Sequence, residues 1–264
     1  MKSKNLSFPY LIWMLLFTLF PLAMLFYYAV TDNNGNFSLA SLSDIIYYKD
    51  VFINSFWIAF ASTVICFILA YPLAFIISKM KKRAQQAIVM LLMIPMWMNF
   101  LLRIYSWVLL LQDSGPIRQV LSVFDLEASL INNKGAVILG MVYEFLPFMV
   151  LPIYTVIIKI DHSLIEASQD LGCSGLMVFK RVILPLSVPG IISGVTMVFV
   201  PAASTFLVAQ YLGGSGDIMI GDVIEKTFFG NYHTGSALSL VLMIGILFFL
   251  IIMNKFGDEE AIGL

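Results

Sequence analysis

Two ionisable side chains, Arg103 and Glu144, stand inside otherwise apolar sequence, and a third, Asp113, stands at the outer end of such a run. An ionisable group at membrane depth costs roughly a few kcal/mol to place, so each calls for a partner or a function. Glu144 lies between Tyr143 and Phe148, Arg103 precedes Trp107, and Asp113 follows a run of leucines. Two readings of Glu144 compete. It lines a cavity with Tyr143 or Trp107 and meets a passing solute, or it neutralises Arg103 from an antiparallel neighbour; a position facing the lipid interface is the remaining alternative. Asp113 reads as the cap of a span end or as a carboxylate at an outer mouth. A second group of chemistry-bearing residues is EASQDLGCSGLMVFKRVILP, Glu166 to Pro185, where acids, bases and glycines interrupt greasy sequence.

Several chemistries are excluded. No G-x-x-x-x-G-K-[ST] occurs, so the chain builds no P-loop for ATP, and no H-E-x-x-H occurs for a catalytic zinc. GGSGD at 213–217 resembles a nucleophile elbow but has Asp217 in place of the second glycine. His162 and His233 fall at opposite membrane edges, which makes one serine–histidine relay hard to build. Cys66 and Cys173 form neither a disulfide framework nor a zinc site.

The elements that must position these residues follow from composition. Of 264 residues, 60% are hydrophobic and 12% charged, against about 25% charged in soluble domains. Such a chain cannot cover a water-facing surface, and it reads as an all-α integral membrane protein with one domain over residues 1–264. A crossing needs about 20 apolar residues. Six segments qualify: Phe8–Val30, Val51–Ser78, Ala87–Leu111, Ala136–Ile160, Leu186–Gln210 and Ala237–Asn254. The first has too long a core and no small-residue cleavage site, and it reads as an uncleaved span rather than a signal peptide. With the N-terminus inside, Lys2, Lys4, Lys79, Lys81, Lys82, Arg83, Lys159, Lys180, Arg181 and Lys255 fall on the inner side, and only Lys49, Arg118, Lys134 and Lys226 outside. This bias puts both termini, and the hairpin at about 161–185, in the cytoplasm.

The hairpin has the pattern of a stiff docking element. Asp161 and Ser163 can cap a short helix, with Glu166 three residues past Ser163 as in a capping box. Leu164, Ile165, Ala167, Ser168 and Leu171 supply an apolar side. Gly172 or Gly175 can stop the helix in a left-handed turn, and a second short helix, roughly Leu176–Ile183, ends at Pro185. The segment resembles the EAA motif of ABC importer permeases: Glu166-Ala167-Ser168, three residues, Gly172, nine residues, then Val182-Ile183-Leu184-Pro185. Ser168 stands where alanine is usual and Val182 where isoleucine is usual. The resemblance implies a coupling helix seated in a cleft of an ATPase, with Glu166, Ala167, Ser168, Asp170, Leu171 and Gly172 in that role. A plain helical hairpin closing the bundle is the alternative.

The resemblance extends to NFLLRIYSW (Asn99–Trp107), EFLPFMVLPIY (Glu144–Tyr154) and the region Val200–Phe228, which look like the B-type permease of spermidine/putrescine importers. It implies a type I importer fold in a bacterial cell membrane. It also implies a heterodimer with a C-type permease, two copies of a cytoplasmic ATPase that holds ATP and magnesium, and an external polyamine-binding protein. No cofactor, metal or nucleic acid is expected for this chain itself. A polyamine would meet carboxylates for charge and aromatic faces for cation–π contact, which makes Glu144, Tyr143, Trp107, Asp113 and Phe148 the candidate path. An importer permease for a metal ion, an oxyanion or thiamine is the second reading. A non-ABC channel or intramembrane enzyme is the third.

Overall fold

The structure is a computed structural model describing residues 12–32, 35–122, 129–214 and 216–262. The first residues of the expected Phe8–Val30 span, and Lys2 and Lys4, lie outside them. Among the described residues the chain is helical, apart from an isolated bridge between Thr31 and Phe37. Among these residues five helices are long and apolar enough to cross a membrane, and a sixth crossing results if one bent pair counts as a single span.

Three of them form the centre: α2 (Lys49–Ser78), which follows α1 (Ile12–Ala29), then α5 (Lys134–Ile157) and α7 (Gly175–Ser204). Between them stand α3 (Lys82–Met93), α4 (Phe100–Leu111) and the short α6 (His162–Asp170). The shared core is built from Ile58, Cys66 and Ala70 of α2, Met141, Met149 and Ile153 of α5, and Val198 and Ala202 of α7. Small residues set the spacing, as they do where membrane helices pack without a hydrophobic drive between them. A Cβ on Gly190 would lie 2.9 Å from the Pro152 carbonyl oxygen, so α5 and α7 meet backbone to backbone there. Polar groups are paired across the same seams: Tyr71 Oη and Ser187 Oγ lie 2.9 Å apart. The proline-bearing helices α2, α5 and α7 continue through Pro72, Pro147, Pro152 and Pro189. Such interruptions are tolerated where neighbours re-satisfy freed carbonyls.

Beyond α7 come α8 (Leu207–Leu212), α9 (Ile220–Gly230) and the long α10 (Tyr232–Ile262). The first helix packs on the last, where the buried His233 places Nδ1 2.9 Å from the Tyr28 carbonyl oxygen. α9 begins in the interior. The Ile220 N–H has no helical partner at a first turn and donates instead to Ser55 Oγ of α2 at 2.7 Å. Ser55→Ala should leave that buried donor unmet and cost about 1–3 kcal/mol. Amide exchange at Ile220 should accelerate by at least tenfold; unchanged protection would mean that other contacts seat α9.

Three sequence expectations are corrected. The segment Ala87–Leu111 is not one straight span, because Lys82–Trp97 and Phe100–Leu121 meet at 92°. Pro95 supplies no N–H, Met98 is extended, and the Asn99 side chain accepts from Leu101 N at 2.9 Å and Leu102 N at 3.4 Å. Hydropathy cannot register a bend whose polar groups are met locally. The fifth span is not Leu186–Gln210. It starts at Gly175, inside the hairpin, and stops at Ser204, whose hydroxyl turns back onto the Val200 and Pro201 carbonyls while Thr205 goes extended. Such back-bonding competes with continuation of the helix. Finally, Pro185 does not end a second short helix. A wide π-type turn over Phe179–Ile183, with the Leu184 N–H reaching back to the Phe179 carbonyl, carries the helix through. The wider turn makes room for a ring that would clash in an α-helix.

Candidate functional site

The structure brings Arg103 and Glu144 together. Arg103 Nη2 lies 2.6 Å from Glu144 Oε2, with side-chain exposures of 10% and 2%. The contact is one of charge rather than an aligned hydrogen bond, and Arg103 Nε and both Glu144 oxygens lack hydrogen-bond partners among the described residues. The other arm of the guanidinium is well used: Nη1 donates to the Pro95 carbonyl at 3.0 Å. One residue of α4 therefore grips both the bend in the broken span and the middle of α5. That bend is what lets it: the 92° turn folds Pro95 back toward Arg103, eight residues along. Sequence reasoning held the Arg103–Glu144 pair as one of three alternatives and did not foresee the Pro95 contact, for which a proline and a helix-capping asparagine just before the arginine were the available signals.

The remaining path candidates divide. Trp107 and Tyr143 meet edge to face at 5.3 Å. Phe148 is partly exposed on α5 beside Phe145, with ring centroids 6.4 Å apart. Asp113 sits in the exposed turn after α4, off the helix. With Glu144 closed against Arg103, the carboxylate is turned into the protein, while Tyr143 keeps part of its side chain exposed.

The second candidate is the hairpin. Asp161 is the N-cap of α6, its Oδ1 accepting the Ser163 N–H at 3.0 Å. That hydrogen bond holds the Asp161 carboxyl below the usual carboxylate range. The expected capping box does not form: Ser163 is already helical, and Glu166 Oε1 instead lies 3.1 Å from His162 Nδ1, one turn back. The far end closes as a Schellman motif. Gly172, at φ +82°, donates to the Gln169 carbonyl at 2.8 Å, and Cys173 N to the Ser168 carbonyl at 3.1 Å. The left-handed residue is therefore Gly172, while Gly175 opens the next helix. This turn holds Leu171 86% exposed, with Leu164 and Leu176 also open to solvent. Isolated exposed apolar residues are ordinary, but Leu171 and Leu176 flank one rigid turn and Leu164 stands on the helix leading into it, apolar groups suited to a protein partner. Beneath these groups, Lys79 lies over the Phe75 ring at 5.5 Å. Gln85 staples the neighbouring basic turn through the Ser78 and Met80 carbonyls.

A bent, proline-bearing bundle that projects a rigid two-helix knob has known relatives. Residues 3–258 match the family described as the binding-protein-dependent transport system inner membrane component. The chain belongs to this family. It is a multi-pass permease of the bacterial inner membrane, a transport subunit of ABC importers. The permease is 36% identical over 265 residues to the spermidine/putrescine transport system permease protein PotB of Haemophilus influenzae, covering 94% of this chain and 93% of that one. It is 38% identical over 202 residues to the protein of the same name in Escherichia coli K12, covering 75% and 74%. Among solved structures, a bacterial ABC transporter involved in the import of the acidic polysaccharide alginate superposes with a TM-score of 0.81. That pair is 16% identical, and the match covers 97% of this chain and 94% of the other. The MetNI methionine ABC transporter gives a TM-score of 0.57 at 15% identity over 80% and 92%. At those identities the two structures establish the type I importer fold and nothing about the solute.

Proposed function

We propose that this permease is the B-type membrane subunit of an ATP-driven polyamine importer, moving spermidine or putrescine by alternating access. The observation that carries the reading is 36% identity across nearly the full length of a relative named for spermidine/putrescine transport. In this reading the partners are a C-type permease, two copies of a cytoplasmic ATPase and an external polyamine-binding protein. ATP and magnesium are held by the ATPase, and this chain carries no cofactor. Its own contribution is mechanical. Glu166, Ala167, Ser168, Asp170, Leu171 and Gly172 form the face that meets the ATPase. A ligand shifts a conformational equilibrium only through differential affinity for its states, so that face must be gripped differently in the inward and outward forms. The bundle rocks behind it, with Trp107 and Tyr143 offering ring faces to an ammonium.

The test is ligand-stimulated ATP hydrolysis by the complex purified through this subunit, in lipid nanodiscs, with the external binding protein present. Spermidine and putrescine are titrated against an oxyanion and thiamine. Stimulation by polyamines alone is expected. Hydrolysis that ignores polyamines would keep the permease and discard the solute, and a preparation without ATPase would overturn the coupling role of the hairpin.

A further inference from the structure

Where α7 stops, the fold leaves a hollow of about 420 Å³. Its wall includes Ser204 and Phe206 at the end of α7, Glu225 of α9, and Ser239, Met243 and Leu247 of α10. Counting 1.5 Å per residue from Tyr232, the α10 residues from Leu242 to Leu247 lie about 15–22 Å along that helix, so the hollow runs well down the side of α10.

The chemistry of this wall is one-sided. Among the described residues it contains no lysine, arginine or histidine. The hydroxyl of Ser204 donates to the Val200 carbonyl at 3.0 Å and that of Ser239 to the Gly235 carbonyl at 2.9 Å. Both protons are thus directed inward, and the oxygens remain as acceptors. The helix end adds carbonyls. A Cβ on Gly221 would lie 2.5 Å from the Ser204 oxygen and 2.9 Å from the Thr205 oxygen, so only glycine lets α9 approach that end. The C-terminus of a helix carries partial negative charge and favours cations, and unwound helix ends of this kind coordinate cations in transporters. Glu225 makes no ion pair among the described residues, because the adjacent Lys226 is taken by Asp222 at 2.7 Å. Nearby, Tyr211 lies within electrostatic reach of Glu225 and packs on Tyr105 at 4.9 Å.

We infer that this hollow is a subsite for one ammonium end of an alkyl polyamine, with Glu225 as its counter-charge. The inference rests on the polyamine reading above and adds to it a place and a residue. Acceptors alone at one end select a cation. Apolar walls from Phe206, Met243 and Leu247 suit the methylenes of an alkyl amine, which a bare metal ion does not carry. The ammonium headgroup of phosphatidylethanolamine shares this chemistry, and the experiment separates the two.

Polyamine-stimulated ATP hydrolysis and uptake are measured for the whole complex with its binding protein, in phosphatidylcholine/phosphatidylglycerol bilayers that hold no primary amine. Glu225→Gln should raise the half-saturating spermidine concentration about tenfold or more, the size expected for one lost charge-assisted hydrogen bond. Hydrolysis without ligand should be unchanged, and Glu225→Asp should recover part of the loss. Ser239→Leu, which fills the hollow and leaves the carboxylate, should raise it similarly; this variant carries the test if Glu225→Gln fails to assemble. A responsive wild type with unaltered half-saturation in both variants would overturn the subsite and leave the importer reading standing. A shift seen only after phosphatidylethanolamine is added would assign the hollow to lipid and overturn it too. A wild type deaf to polyamines would overturn both readings.

Discussion

Arg103→Met should strip most of the permease from its complex, through a loss of roughly 3–5 kcal/mol, the cost of removing one partner from a buried ion pair. Glu144 would remain as a carboxylate 2% exposed with no counter-charge in contact. The Pro95 carbonyl would keep only the Met98 N–H, at 3.1 Å. Both ends of the damage converge on the 92° bend, so α3 and α4 should lose their fixed relation to α5. Thermal unfolding of the purified complex and its recovery from detergent are the readouts. The double variant Arg103→Met/Glu144→Leu should regain most of the loss, because buried ion pairs are often replaceable by apolar residues of similar volume. Glu144→Gln should be milder than Arg103→Met, since it leaves the guanidinium its Pro95 acceptor. If Glu144→Gln abolishes uptake while the complex assembles and melts as wild type, the carboxylate belongs to the solute path instead.

The second large effect is on coupling. Gly172→Pro should leave insertion, assembly and basal ATP hydrolysis intact while uptake falls to background. Proline fixes φ near −65°, whereas Gly172 needs +82°. The variant also deletes the N–H that meets the Gln169 carbonyl. The turn must then open, and Leu171 moves with it. Gly172→Val separates the two causes. It keeps the N–H but meets a left-handed penalty of about 1–2 kcal/mol, so its uptake should be reduced rather than absent. Glu166→Lys, which reverses an exposed charge and breaks the His162 contact without touching the turn, should uncouple as well. Hydrolysis and uptake are read in the same proteoliposomes. Normal uptake by both Gly172→Pro and Glu166→Lys would sink the assignment of this face to the ATPase.

How far these features were legible depends on what each residue signals alone. The second and fourth spans were readable to within a few residues, because hydropathy falls abruptly at Lys49, Lys79 and Lys134. The Arg103–Glu144 contact was readable as one of three options, because two opposite charges in apolar sequence have few places to go. The bend between them was not, although Pro95 and Asn99 both mark it: in a hydropathy window two polar signals are outweighed by the leucines and methionines around them. Gly172 was visible as a stop but tied with Gly175, since sequence cannot give the sign of φ. Glu225 gave no signal of its own, as one acid among the mixed residues of IGDVIEKTF. Only the arrest of α7 at Ser204 turns IGDVIEKTF into the wall of a hollow, and that arrest depends on a serine hydroxyl that carries no hydropathy signature.

The unbroken run from Gly175 to Ser204 has a consequence for linkage. It starts in the knob beside Gly172 and ends at the carbonyls opposite Gly221, a 30-residue rod about 45 Å long at 1.5 Å per residue. A rod has one tilt. Whatever free energy a partner at the knob spends in favouring one tilt must reappear, equal in size, as a preference of the far end for or against its ligand, because coupling between two sites is reciprocal. A solute seated at the Ser204 end would then strengthen or weaken the grip on Leu171 by the same factor by which that grip alters its own affinity. The wide turn at Phe179–Ile183 is the natural place to measure the leak in that exchange: a residue change that lets it flex would lower both factors together and leave each site's intrinsic chemistry as it was.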